Sequence, residues 1–458
     1  MRDSKRRLKV IIGIAFYISA IWGVGGAQYT LAADSTAVDI EESESAVDVS
    51  NRIIAEITAI QEEIAAAETT YGPFHAELLE PMKRMISLQV GLENYQDVDR
   101  LIDRYLQISR INQNLSSYSQ LPALVEQISN DIRLEQWESI NNRFQFMAWI
   151  FEQHSSFDTE DLLSLLDEFA AWNLAAVYMD IPKQRAEHFM DYRVVMENAV
   201  DFAEREYESG SAALIPWLYR SAIMEYRGMT MQRTGDELRL GPSAGSLDDA
   251  LSAIRRIGSI VDQFDNPEAA GMALVYEADF IKLANDLGRN KNYGSSDALY
   301  RQAAEKFHEI GLDEEKISAF FKQPTILPMN KFYTSIDSAM QEQRPIDLTT
   351  LGIGIDTDIK KAIEFTAWNE SLRFTRRPEK TSLIAGLNTE LNSVLLQFSL
   401  DKHGNARSID AVYSSPNGGQ PRAYARNAVE RFTFRSNPTA NRWRSEKRPV
   451  NLLYQYTP

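Results

Sequence analysis

The stretch 392–404, NSVLLQFSLDKHG, decides how the last part of this chain folds. Apolar residues occupy every second position from Val394 to Leu400, the spacing that predicts a strand with one buried face. The DKHGN sequence that follows predicts a tight turn, in which Gly404 supplies a positive φ. This stretch therefore predicts the first strand and the turn of a β-hairpin.

The same pattern continues toward the carboxyl end. Alternating residues from Ile409 to Tyr413 predict a second strand, and apolar residues three and four apart predict a helix over 420–432. A third alternating run from Val450 to Tyr456 predicts a closing strand. We therefore expect a small α+β domain of order strand–strand–helix–strand over 386–458, at the end of an otherwise helical chain.

This ordered set of motifs resembles the C-terminal domain of the TonB family of energy transducers. The motifs that carry the resemblance are Val394, Phe398, Asp401 and Gly404, the helix end from Ala425 to Phe432, then Phe434, Pro438 and the closing strand. Two features depart from the family. Its usual glycine before the last strands is replaced by the stretch 440–443, and its long Pro-rich spacer is missing.

The resemblance implies where a partner binds. A three-stranded sheet has two edges, and TonB-like domains hold a segment of an outer-membrane transporter by strand addition at one of them. The predicted peptide-binding residues are Val450, Leu452, Leu453, Tyr454 and Tyr456, with Arg442, Arg444, Lys447 and Arg448 as a basic approach. The alternative is that these residues only close the sheet and that the arginines solvate it.

The long middle of the chain, 51–328, is predicted to be helical, and it contains a repeat. The apolar spacing that begins at Leu79, and the aromatic Tyr95, recur 42 residues later at Leu121 and Trp137. A third, weaker copy begins at Leu163, and another helical pair is expected over 277–303. Such units bury their apolar faces only by stacking on neighbours. They resemble tetratricopeptide repeats, which implies an α-solenoid of four to six helical pairs.

The amino terminus predicts export. Basic residues from Arg2 to Lys9 precede an uncharged stretch from Val10 to Ala33, so 1–33 is a cleaved signal peptide or an uncleaved membrane anchor. An acidic linker over 34–50 and a connector over 329–385 complete the predicted organisation. The body of the chain is expected in the periplasm of a Gram-negative bacterium, either free or attached to the inner membrane by one span.

The amino-acid composition limits the partners and the kinds of site that this chain can have. The net charge of −17 argues against nucleic acid as a partner, although 386–458 carries ten Lys or Arg and five Asp or Glu, a net +5 that leaves −22 for the rest. The absence of cysteine excludes disulfides, thiol nucleophiles and an acylated lipoprotein anchor. The five histidines are not at metal-ligand spacing, and His403 is expected to lie exposed in the hairpin turn. We predict no metal site, cofactor or catalytic residue.

Together these features predict a non-enzymatic, periplasm-facing TonB-family adaptor or variant energy transducer. Its partners would be outer-membrane transporters, other envelope proteins or a membrane motor complex, and only an uncleaved amino-terminal segment would contact the membrane. The first alternative is a general periplasmic scaffold of helical repeats without a role in energised transport. The second is an enzyme whose site is assembled from residues scattered along the sequence.

Overall fold

The computed structural model describes residues 46–153, 159–178, 185–233, 245–287, 293–351, 359–367, 391–438 and 448–456. In this part the protein is mostly helical, with a small mixed sheet near the carboxyl end. It divides into two compact units that meet in sequence at Ala171 and Trp172. The predicted signal segment 1–33 and most of the linker 34–50 lie outside the described residues. Among the helices that are described, none has the length and apolar character that crossing a membrane requires.

The first unit is built from helices, and α6, Thr159–Tyr178, contains its boundary. The five helices before α6 are α1 Ala46–Tyr71, α2 Leu79–Gly91, α3 Tyr95–Gln113, α4 Leu121–Arg133 and α5 Trp137–Glu152. Their amphipathic faces explain why these segments fold. Val98 on α3 and Ile140 on α5 are both fully buried, and burying a side chain of this size contributes about 1.5–3 kcal/mol.

The backbone has the same local pattern in the first two copies of the 42-residue repeat. Helices α2 and α4 are both 13 residues long, and each follows a single 3-10 turn. In the turn after each helix, Glu93 and Glu135 adopt the same positive φ of 57°. The third copy is not reproduced with these bounds, because α6 begins at Thr159 and continues without a turn through Tyr178.

The second unit contains the remaining helices. Those before the sheet are α7 Arg185–Glu206, α8 Ile215–Arg233, α9 Leu247–Val261, α10 Pro267–Asp286, α11 Ser296–Glu309, α12 Glu314–Lys322 and α13 Ile336–Glu342. Asn266 caps α10 by accepting a hydrogen bond from the backbone of Ala269, and Pro267 occupies its first turn. Helices α10 and α11 pack so closely that a Cβ atom at Gly271 would clash with the ring of Phe307.

The sheet lies at the carboxyl end of the second unit and has five strands in the order β2-β3-β7-β4-β5. Its strands are β2 Ile346–Asp347, β3 Lys361–Thr366, β4 Asn392–Leu400, β5 Ala406–Ser415 and β7 Arg448–Tyr456. A separate two-stranded pair joins β1, Ile326–Leu327, to β6, Thr433–Phe434. Helix α14, Gly419–Val429, follows β5, so the strand–strand–helix–strand order predicted for this region is present.

The sheet is larger than the three strands expected from the sequence. The predicted connector 329–385 supplies β2 and β3, and β1 comes from the end of the predicted helical region. One face of the sheet packs on α14 through a core that includes Phe365, Phe398 and Ala425. A smaller core that includes Leu395 and Leu453 covers the other face. The sheet is therefore built from three separate stretches of the chain.

The turn between β4 and β5 follows the prediction. Gly404 has a φ of 77°, a conformation that favours glycine. A Cβ atom there would also clash with the carbonyl oxygen of Phe434, which lies next to the turn. The Asp401 carboxylate accepts hydrogen bonds from the backbone of His403 and from Asn405, which closes the turn. His403 is exposed, as expected.

Candidate functional site

The predicted peptide-binding strand, β7, lies inside the sheet. On one side β4 pairs with it in antiparallel register from Asn392 to Leu400. On the other side β3 pairs with it in parallel register, from Ile363 opposite Leu452 to Thr366 opposite Gln455. The expectation that β7 is an edge strand is therefore wrong, because the chain's own β3 occupies the edge that a guest strand would need.

The side chains proposed for this edge are mostly buried. Five of the predicted peptide-binding residues have at most 3% of their surface exposed: Val450, Leu452, Leu453, Tyr454 and Tyr456. They face the two cores of the sheet instead of solvent. Strand addition at β7 itself would therefore have to displace β3.

The pairing of β3 with β7 is supported by side chains as well as by the backbone. Phe365 is almost fully buried, and its ring stacks on Tyr454 with the centroids 6.0 Å apart. The ring of Phe432 lies 4.8 Å from that of Phe365. Just beyond β3, the backbone N–H of Ala367 donates to the carbonyl of Gln455 over 2.7 Å. Strand β3 is thus part of the core, and removing it would expose large apolar side chains.

The predicted basic approach has a different role where it is described. Arg448 is only 7% exposed. Its Nη1 donates to the carbonyl of Phe321 over 3.0 Å, and its Nη2 donates to the carbonyl of Arg435 over 3.1 Å. Arg448 therefore ties the start of β7 to α12, and it is not a surface charge for a partner. Arg442, Arg444 and Lys447 lie outside the described residues.

The most unusual polar contact in the second unit joins Asp279 of α10 to Arg435, which follows β6. Arg435 Nε donates to Asp279 Oδ1 over 2.9 Å, and Arg435 Nη2 donates to Oδ2 over 2.5 Å. The two side chains are 1% and 2% exposed. Tyr300 donates its hydroxyl to the same carboxylate over 2.6 Å, and the guanidinium lies 4.9 Å from the ring centroid of Phe320. This bidentate geometry is the strongest that an arginine and a carboxylate form.

The electrostatics of this cluster follow from its burial. Burial alone lowers the pKa of Arg435, but the charge and hydrogen bonds of Asp279 outweigh it, and the pKa lies above its usual value. Burial raises the pKa of Tyr219, Tyr276 and Tyr300 well above the usual value for tyrosine. At neutral pH the Arg435 guanidinium is therefore held in its charged form beside Asp279, and the three phenols are neutral.

Two of these tyrosines fix the segment that follows β1. Tyr219 donates its hydroxyl to the carbonyl of Met329, and Tyr276 donates to the carbonyl of Lys331, both over 2.8 Å. Gln343 acts in the same region, because its amide accepts from the backbone N–H of Ile326 and donates to its carbonyl. The chain that links the helices to the sheet is thus held at several points.

Asp279 is not among the predicted site residues, although its position in the sequence indicates that it has a buried partner. Fourteen of the 20 residues of α10 are buried, and Asp279 lies within the continuous buried stretch 278–284. A buried carboxylate needs a partner, and an acidic residue within such a stretch indicates one. Nothing in the sequence around Arg435 marks that arginine as the partner.

The first unit has an exposed feature that the sequence did not indicate. An open groove of about 500 Å³ lies between the turn after α1 and one face of α3. The residues that line it are Pro73, Phe74, Arg100, Asp103, Arg104 and Gln107. Apolar side chains on or next to these two elements are also exposed, since Tyr71 is 56% exposed, Phe74 44% and Ile111 59%. Asn112 joins the two elements by donating to the carbonyl of Phe74.

In the described ranges no group of three or more His, Asp or Glu side chains is placed to hold a metal ion. Neither a scan of the chain against protein-family models nor a search of curated proteins finds a match. The function therefore has to be argued from the geometry of the groove and of the sheet.

Proposed function

We propose that this chain is a non-enzymatic, protein-binding scaffold of the bacterial envelope that faces the periplasm. The observation that carries the proposal is the groove of the first unit, together with the apolar side chains beside it. Tyr71, Phe74 and Ile111 are among the most exposed large apolar residues in the described part of the chain. Exposed apolar groups that cluster around a groove are typical of protein interaction surfaces. Export rests on the basic amino terminus and the uncharged stretch that follows it.

The groove also has polar groups for orienting a partner. Arg100 and Arg104 lie on the same face of α3 as Asp103, and all three line the groove. Arg104 is paired with Glu68 of α1, and Arg100 with Asp97. The groove is therefore lined mainly by polar and charged side chains, with Phe74 as its large apolar residue. Such polar groups orient a partner, while exposed apolar side chains beside them offer surface to bury.

Cross-linking in cells tests this proposal. We expect the wild-type chain to give reproducible cross-linked complexes, and we expect the double substitution Phe74→Ser with Ile111→Ser to abolish them. The matched control is Met190→Ser, because Met190 in the second unit is as exposed as Phe74, at 44%. If the double variant and the control both retain the wild-type complexes, the groove is not the binding surface.

The second candidate function is that of a TonB-family adaptor or variant energy transducer for outer-membrane transport. The observation that favours it is the order β4, β5, α14, β7 at the carboxyl end, which matches the motifs of the resemblance. Because β3 covers β7, a transporter segment would have to displace β3 or use another part of the sheet. An amide-resolved titration of the full chain with a transporter's amino-terminal peptide tests this. Unchanged sheet amides at saturating peptide would reject strand addition.

A further inference from the structure

The contacts between the sheet and helices α10 to α12 converge on Arg435. Its side chain pairs with Asp279 of α10 and lies against the ring of Phe320 in α12. Its backbone N–H donates to the carbonyl of Thr325 over 2.9 Å, beside the β1–β6 pair. Its carbonyl accepts from Arg448, the first residue of β7. One residue thus connects two helices, the short strand pair and the central strand of the sheet.

A buried ion pair stabilises the contact between two elements only when both charges are in place. Moving two charges out of water is costly, and their attraction balances this cost only when the geometry is intact. If either partner is removed, the other charge is left buried and unpaired, which is strongly destabilising. A pair of apolar residues of similar size in the same place would hold the contact without that penalty. The buried ion pair, unlike an apolar pair, therefore selects one arrangement of the surrounding elements.

The backbone pairing near Arg435 is short. Strands β1 and β6 pair over only two residues each. Thr433 donates to Asp286 over 2.8 Å on the exposed side of this pair. The β4–β5 hairpin, in contrast, is paired along most of its length, and the core that it forms with α14 also includes Ile326 and Phe434. Loss of the buried ion pair should therefore loosen the β1–β6 pair before it affects the hairpin.

We infer that Asp279 and Arg435 form an ionic latch that keeps the sheet docked on α10, α11 and α12. The latch has a docked state, which is the one described, and a released state in which the β1–β6 pair opens while the β4–β5 hairpin and α14 stay folded. Release also removes the carbonyl partner of Arg448 and so loosens the start of β7. This inference depends only on the contacts around Arg435 and is independent of the proposed function.

Hydrogen exchange of the full chain, followed by mass spectrometry, tests the latch. Asp279→Asn keeps the size of the side chain and removes the counter-charge of Arg435. We expect exchange over 326–327 and 433–435, which include the Arg435 N–H bonded to the carbonyl of Thr325, to become about tenfold faster or more, with less than a twofold change in the β4–β5 hairpin. The matched control is Asp410→Asn, which removes the exposed pair of Asp410 with Arg426 and should leave both regions unchanged.

A double substitution separates the latch from general destabilisation. Asp279→Leu combined with Arg435→Met replaces the two charges by apolar side chains, and we expect it to return exchange over 326–327 and 433–435 close to the wild-type rate. Three results would overturn the inference. They are wild-type exchange in Asp279→Asn, equal acceleration of the hairpin and the β1–β6 pair, and a double variant that exchanges as fast as the single one.

Discussion

The first two helical pairs and the junction between sheet and helices are held by contacts of very different range. In the repeats, Arg143 of α5 pairs with Asp131 of α4 only 12 positions away, and Arg143 remains 21% exposed. At the junction, Arg435 pairs with Asp279 across 156 positions, and both side chains are sealed from solvent. The repeats can therefore form from neighbouring segments. The junction requires segments that are far apart in the sequence.

The largest expected effect concerns β3, which belongs to the long-range region. Phe365→Ala should lower the free energy of unfolding by about 3–5 kcal/mol, because it removes a buried ring between Tyr454 and Phe432. Urea unfolding of the full chain measures this loss. Glu364→Ala, an exposed neighbour in the same strand, is the control and should change stability by less than about 0.5 kcal/mol. A loss below about 1 kcal/mol for Phe365→Ala would show that β3 is only loosely attached.

A smaller effect, with a defined pH dependence, is expected at Asp401. Partial burial raises the pKa of this carboxyl, but hydrogen bonds from Asn405, His403 and Arg407 outweigh it, and the pKa is lowered. A lowered pKa stabilises the fold above the pKa of the unfolded chain, and this contribution disappears as the pH falls through the pKa of the folded state. Asp401→Asn should therefore cost about 1–2 kcal/mol at pH 7 and less below pH 4. Thermal melting of the wild type and of Asp401→Asn between pH 2.5 and pH 7 checks the direction of this pH dependence.

Asp99 in the repeats gives the opposite case. Burial and then the neighbouring Asp103 raise the pKa of Asp99, while Arg143 acts against them. A raised carboxyl pKa stabilises the fold at low pH, and the contribution falls as the pH rises through the pKa of the folded state. The melting temperature of Asp99→Asn relative to wild type should therefore rise from pH 3 to pH 7. A parallel rise of the two variants would contradict the assignment for Asp401, and a parallel fall would contradict the assignment for Asp99.

The smallest effect tests whether the two repeats are equivalent. Glu93 and Glu135 share a positive φ of 57°, which is unfavourable for a residue with a side chain. Glycine at either position should raise the free energy of unfolding by about 0.5–1 kcal/mol. The same substitution at Glu138, in the first turn of α5, should be destabilising. Calorimetry of the three single variants measures these changes, and opposite signs at the two turns would show that the repeats are not equivalent.

The same difference in range explains what the sequence could predict. Alternation from Val394 to Leu400 and the recurrence of Tyr95 at Trp137 are local patterns, and the elements they predicted, β4 and the helices α3 and α5, are present. Local patterns did not show that β3 would join β7, because β3 is short and its parallel pairing spans 89 positions, from Ile363 to Leu452. A strand can be recognised by its own residues, but its neighbours in a sheet depend on the whole fold.

The candidate site also has features that the local pattern predicted and features that depend on distant segments. The burial of the alternating apolar residues of β7 followed from their pattern, but their accessibility to a partner depended on β3. Arg448 was predicted to be a surface charge because the sequence around it does not show which backbone carbonyls it meets. They belong to Arg435, 13 positions earlier, and to Phe321, 127 positions earlier. The groove beside Phe74 was missed because its two walls are separated by the whole of α2.

The position of β7 has a consequence for synthesis of the protein. It follows every other strand in the described part of the chain, yet it lies in the middle of the sheet between β3 and β4. While a ribosome makes the chain, β3 and β4 have no common neighbour until residues 448–456 have emerged, and such non-local pairing is slow. Until then the apolar faces of both strands remain open to other molecules. A nascent chain stalled before residue 448 should therefore bind chaperones far more strongly than the finished protein.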